Sequence, residues 1–182
     1  MKAELPYRFI AIEGNIGAGK TTLATKLSKD FNTRLILEQF ADNPFLPKFY
    51  EDQKKYAFPL ELSFLAERYK QLKDELSIQD MFRPQLISDY FFLKSLIFAK
   101  ANLSSDEYDL YTRLFHIIND SLPKPDLFVF LYHDIGRLKE NIKKRGRIYE
   151  QSISEEYLIR IQDAYFDFMR SEERRVGKEC RL

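Results

Sequence analysis

The sequence predicts an α/β domain built on a doubly wound parallel sheet, and three observations carry that expectation. A glycine-rich phosphate-binding pattern, residues 12–22 (IEGNIGAGKTT), lies between a strand-like run and a helix-like run. Strand-like and helix-like apolar patterns then alternate along the chain, as β-α-β crossovers require. Residues 126–133 (DLFVFLYH) show no polar alternation, the character of a strand buried on both faces. Open sheets of this kind bind ligands beyond the carboxyl ends of their strands. Gly14, Glu38, Asp89 and His133 fall at those ends.

Residues 7–12 (YRFIAI) are apolar and β-branched enough for a buried strand. Gly14, Gly17, Gly19, Lys20 and Thr21 fill the pattern G-x-x-x-x-G-K-[ST]. Its glycines let backbone N–H groups turn inward on phosphate oxygens, and the helix that follows adds the positive end of its dipole. Gly14, Asn15, Ile16, Gly17, Ala18, Gly19, Lys20, Thr21 and Thr22 therefore form the expected triphosphate cradle. Lys20 is expected at the β- and γ-phosphates and Thr21 at Mg²⁺. Leu23, Leu27 and Phe31 give helical spacing after the loop. A strand follows at 33–38 (TRLILE), then helices over about 44–54 and 58–76. The second helix carries an apolar stripe of Leu62, Leu65, Tyr69 and Leu72. Residues 84–90 (PQLISDY) read as a third strand, with helical stretches through Phe98 and from Ser104, an N-cap residue, to about Ile118. The fourth strand leads to a helix ending near Arg145, an arginine-bearing loop, and a last helix capped at Ser152 or Ser154.

A hydrophobic content of 45% and a formal net charge of +1 describe a globular chain without electrostatic bias toward nucleic acid or membrane. The longest apolar run, residues 127–132, is far too short to span a bilayer, and the N-terminus MKAELPY has no apolar signal region. A cytoplasmic location is the expectation. The N-K-x-D element of GTPases and the L-S-G-G-Q signature of ABC-type ATPases do not occur. What remains is the class of small-molecule kinases, which close an arginine-rich lid over the phosphates. Residues 143–151 (KKRGRIYEQ), with Arg145 and Arg147, are the lid candidate. His116 and His133 have no partners at metal-ligand spacing and read as structural.

Six motifs occur in one order: IEGNIGAGKTT, LEQ (37–39), FYED (49–52), FPLELSFLAERY (58–69), IFA (97–99) and RGRIYEQSISEEYL (145–158). In them the chain resembles the deoxyribonucleoside kinases related to deoxycytidine and deoxyguanosine kinase, above all their bacterial deoxyadenosine and deoxyguanosine members. The resemblance covers residues 7–169. It implies a P-loop kinase fold with four of five parallel strands present, an arginine-bearing lid, ATP and Mg²⁺ as cofactors, a purine deoxynucleoside as acceptor, and a homodimer. It places Glu38 as the catalytic carboxylate, Tyr50 and Glu150 at the sugar 3′-hydroxyl, Phe98 against the base, and Arg145 and Arg147 as phosphate clamps. Glu61, where the family usually has glutamine, and Arg68 fall in the base site. An ionised Glu61 accepts hydrogen bonds only, which suits guanine's N1–H and N2 amino group better than adenine's N1 acceptor. Deoxyadenosine stays an alternative substrate. A nucleoside-monophosphate kinase such as thymidylate kinase, or a nucleotide-binding remnant without turnover, stays an alternative function.

Three features depart from the family pattern. The acid-arginine-serine element after the third strand appears as Ser88-Asp89-Tyr90, so its arginine is missing. Asp89 would hold Mg²⁺ directly or through water, or else cap a helix. Lys94 stands where many relatives have an aspartate that pairs with the base-site arginine. Finally, residues 170–180 (RSEERRVGKEC) match the in-frame translation of a common short-read sequencing adapter. The expected kinase domain is therefore residues 1–169, incomplete at its C-terminus, with 170–182 a non-native tail that extends the last helix or is disordered. The tail holds Cys180 and five basic and three acidic side chains, so without it the chain has no cysteine and a charge of −1. A missing fifth strand would leave the fourth as an aggregation-prone edge, giving poor solubility or activity that a native C-terminus restores.

Overall fold

A computed structural model describes residues 5–39, 43–78, 80 and 82–179, with side chains through residue 171. Its four strands, β1 (Phe9–Gly14), β2 (Arg34–Ile36), β3 (Leu86–Ser88) and β4 (Leu127–Leu131), form one parallel sheet in the order β2-β3-β1-β4. Winding first to one side of β1 and then to the other opens a crevice at its carboxyl end. Gly14 ends β1, while Glu38, Asp89 and His133 follow β2, β3 and β4 within two residues, all on that same edge.

β1 is buried along its whole length because it is paired on both sides. Among the described residues β4 pairs with β1 alone, and it is half-buried throughout, which corrects the expectation of burial on both faces. An edge strand reads like a central one in sequence when aromatic side chains cover it: Phe128 and Phe130 meet Phe168, Phe166 and Tyr165. The Asp126 carboxylate accepts from the N–H groups of Arg8 and Phe9, both at 2.8 Å, and so closes the start of the β1–β4 ladder.

The helices are α1 (Lys20–Phe31), α2 (Phe45–Glu51), α3 (Gln53–Ser77), α4 (Lys94–Asn102), α5 (Ser105–Asn119), α6 (Ile135–Arg145) and α7 (Glu155–Glu179). α3 begins five residues earlier than the periodicity predicts, at an Asp52 cap whose carboxylate accepts from the Lys55 N–H, and it runs through Pro59. Proline removes one backbone donor there, and the burial of Ala57, Leu60 and Phe64 around it offsets the loss. Ser104 forms a capping box with Glu107, as its position predicts. Ser154 rather than Ser152 caps α7, accepting from the Tyr157 N–H at 3.2 Å. The α7 backbone continues without a break past Met169 to Glu179; Cys180 lies outside the described residues.

Close approach of β1 to β4 explains one glycine. Gly14 has φ +152°, and a Cβ on it would lie 2.6 Å from the Leu131 carbonyl oxygen. Gly14→Ala is therefore expected to destabilise the fold by about 1–3 kcal/mol, measured by urea unfolding. Unchanged stability would mean that the β1–β4 contact yields at little cost.

Candidate functional site

The phosphate loop leaves β1 at Gly14 and enters α1 at Lys20. Gly17 and Gly19 adopt positive φ of 83° and 88°, the left-handed turns that aim successive backbone N–H groups into one concavity. Asn15 is buried and fixes the loop from behind: its Nδ2 donates to the Leu158 carbonyl of α7 at 2.8 Å, and its Oδ1 accepts from the Ile16 N–H. Asn141 of α6 donates to the Gly17 carbonyl at 2.8 Å. Ala18 is buried in the core, Ile16 faces the acceptor-side cavity described below, and Thr22 lines the cleft outside the loop. The Lys20 ammonium donates to the carbonyls of Gly14 and Asn15 at 3.0 and 2.9 Å. Burial and the neighbouring Lys94 ammonium bring Lys20 down to about 8.

Asp89 is not a helix cap. One carboxylate oxygen accepts from the Thr21 hydroxyl and the other from the Glu38 N–H at 2.7 Å, so Asp89 ties the loop helix to the end of β2. Hydroxyl and carboxylate oxygens side by side are the hard donors that Mg²⁺ takes, so Thr21 and Asp89 fit the expected metal.

Glu38 is held from both sides. The Arg68 guanidinium meets its Oε1 through Nε at 2.9 Å and Nη2 at 2.8 Å, while the Lys94 ammonium meets Oε2. Burial pushes the carboxyl up, but Lys94 and Arg68 outweigh it and hold Glu38 down to about 2. Arg68 also donates to Ser95 Oγ at 3.0 Å. The two cations expected near the base are thus both turned on the catalytic candidate. Sequence reasoning placed Lys94 but missed this contact, because pairing across α3, α4 and the end of β2 leaves no local spacing to read. Glu13 was missed for the same reason: buried in β1, it accepts from the Phe91 N–H at 2.6 Å and the Tyr165 hydroxyl at 2.8 Å.

Two cavities meet here. A cleft of about 800 Å³ runs over the loop and is lined by Gly17, Gly19, Thr22, Tyr132, His133 and Asn141 among others. A narrower cavity on the other side is lined by Glu38, Tyr50, Glu61, Phe64, Arg68, Lys94, Phe98, Glu150 and Tyr157. Lys20, Thr21, Arg145 and Arg147 line both. Every residue expected at the sugar and base falls in the second cavity, and none is stranded elsewhere. Tyr50 stacks on Tyr149 at 6.1 Å, Phe98 lies under the Lys94 ammonium at 5.2 Å, and buried Glu150 accepts from Arg145 and from Arg147 at 3.1 Å. Arg145 and Arg147, which line both cavities, are therefore tethered to Glu150. Glu61, wholly buried, accepts from Asn102 Nδ2 at 2.7 Å, a partner the sequence did not reveal.

The buried contacts of Glu38 with Arg68 and Lys94 predict a stability test. Arg68→Met removes charge-assisted hydrogen bonds to Glu38 while Lys94 still compensates the carboxylate, and is expected to cost about 1.5–3 kcal/mol in denaturant unfolding. A loss under about 1 kcal/mol would place the pair in the class of weak, solvent-screened bridges.

A family model described as deoxynucleoside kinase matches residues 10–178. The deoxyguanosine kinase of Bacillus subtilis is 43% identical over 160 residues, covering 86% of this chain and 76% of the relative. The deoxyadenosine kinase of Dictyostelium discoideum is 34% identical over 174 residues, covering 92% and 69%. Among solved structures, deoxyadenosine kinase from M. mycoides with bound dATP superposes with a TM-score of 0.80 at 29% identity, over 91% of this chain and 85% of that one.

Proposed function

This chain belongs to the deoxynucleoside kinase family, and from that membership we propose that it transfers the γ-phosphoryl group of ATP to the 5′-hydroxyl of a purine deoxynucleoside. The observation that carries the reading is the wall common to the two cavities: Lys20, Thr21, Arg145 and Arg147 face a cleft for the triphosphate and a cavity for the acceptor. Cations and a hydroxyl at that boundary suit a group passing from one side to the other.

The proposed roles follow from position. Loop N–H groups and Lys20 hold the β- and γ-phosphates. Thr21 and Asp89 would hold Mg²⁺, which neutralises charge on the phosphate oxygens when bound. Tyr50 and Glu150 orient the sugar 3′-hydroxyl, Phe98 packs on the base, and Glu61 reads its edge with Arg68 behind it. The 5′-oxygen attacks the γ-phosphorus, the bond from that phosphorus to the β–γ bridging oxygen breaks, and ADP leaves. The 5′-hydroxyl proton passes to Glu38. A carboxylate held near 2 is too weak a base to take that proton from a free hydroxyl. Glu38 therefore orients the hydroxyl first and receives the proton as the new P–O bond forms. Arg145 and Arg147 turn from Glu150 onto the transferred group. Family resemblance extends this reading to a cytoplasmic homodimer; no helix among the described residues is long and apolar enough to cross a membrane.

Steady-state assays with deoxyguanosine, deoxyadenosine and their monophosphates test the reaction, the monophosphates being expected to be inert as acceptors. Lys20→Ala is expected to abolish transfer while the protein stays folded by circular dichroism. Retention of a tenth or more of the activity would contradict the loop assignment. Glu38→Gln is expected to lower turnover by about 10²–10⁴ with little change in nucleoside affinity. Loss of affinity with unchanged turnover would make Glu38 a binding residue only.

A further inference from the structure

Glu61 has a neighbourhood that its assignment as a base contact does not explain. It is 1% exposed on α3, and Asn102 of α4 donates to its Oε1. Its Oε2 is buried and has no hydrogen-bond partner among the described residues, and neither does Asn102 Oδ1. Two acceptors of one hydrogen-bonded pair, buried without a donor, are a costly arrangement, and a proton on Glu61 removes its share of the charge.

The surroundings supply no other remedy. From its own helix, Arg68 places its hydrogen bonds on Glu38 and Ser95. The Lys94 ammonium from α4 meets Glu38. Glu38, beyond β2, adds like charge. Tyr111 of α5 donates to the Glu61 main-chain oxygen at 3.2 Å, not to the carboxyl group. Tyr157 of α7 lies against Asn102 at 3.3 Å. Attraction from Arg68, Asn102 and Lys94 only partly offsets burial, which lifts the Glu61 carboxyl to about 7.

Resting on the kinase reading above, we propose that Glu61 reads both purines by changing its protonation state. As a carboxylate it presents two acceptors, the complement of guanine's adjacent N1–H and N2 amino donors. As a neutral acid it presents one donor and one acceptor, the complement of adenine's N1 acceptor and N6 amino donor. The bound base selects the form: deoxyguanosine takes the carboxylate, and deoxyadenosine takes the acid together with a proton from solvent. Asn102 stays on Oε1 in both states, so Oε2 is the atom that changes role.

The test is competition between deoxyguanosine and deoxyadenosine at saturating ATP from pH 6 to 8.5. The ratio of kcat/KM for deoxyguanosine over deoxyadenosine is expected to rise about tenfold for each pH unit in the wild-type chain and to stay flat in Glu61→Gln. Calorimetry without ATP, near pH 7 in buffers of different ionisation enthalpy, is expected to show proton uptake with deoxyadenosine and proton release with deoxyguanosine. A flat ratio with both nucleosides phosphorylated would overturn this proposal and leave the kinase reading intact, as would the absence of opposite proton linkage. Failure to phosphorylate or bind either nucleoside would overturn both.

Discussion

The buried carboxylate of Glu38, held between Arg68 and Lys94, is the constraint on which the acceptor side of this site depends. It joins three separate elements: the end of β2, the middle of α3 and the first turn of α4. A fourth is added through the backbone, because the Glu38 N–H donates to Asp89, whose other oxygen holds Thr21 at the start of α1. One chain of contacts therefore runs from the glycine-rich loop to α3. Removing the Glu38 carboxylate would leave two buried cations uncompensated, so Arg68 and Lys94 both depend on it. Both cations place their hydrogen bonds on Glu38, and Asn102 donates to Glu61.

The same economy of contacts shapes the boundary between the two cavities. Lys20 rests on the carbonyls of its own loop, and Arg145 and Arg147 rest on Glu150. Each cation that the proposed reaction needs already has a partner, one that a phosphate oxygen can replace. Such pre-positioned charges lower the reorganisation required when a substrate's own charge develops. Gly146, at φ 72°, ends α6 in a left-handed turn between Arg145 and Arg147, both of which line the two cavities.

Local chemistry made much of this legible in advance. The phosphate loop is contiguous, so its residue types and spacing state its geometry. Gly14, Glu38 and Asp89 fall at or just after strands whose apolar runs stop there, and Ser104 announced its helix through the Glu107 that completes the cap. What stayed hidden depends on pairing between distant segments. Asp126 on the Arg8 and Phe9 N–H groups, Glu13 on Phe91 and Tyr165, and Asn102 on Glu61 are separated by many residues and share no motif. β4 misled because aromatic cover from α7 lets an edge strand carry the composition of a central one. Asp89 was ambiguous because a carboxylate after a strand serves as a cap or as a tether, and only the position of Thr21 decides between them.

A crystal structure of this chain with deoxyguanosine and a non-hydrolysable ATP analogue tests the central claim most directly. The account places the nucleoside in the cavity lined by Glu38, Tyr50, Glu61 and Phe98, with its 5′-oxygen within hydrogen-bond reach of Glu38 and facing the γ-phosphate across Lys20, Arg145 and Arg147. A nucleoside bound outside that cavity, or one whose 5′-oxygen points away from Glu38 while the triphosphate fills the loop, would contradict it.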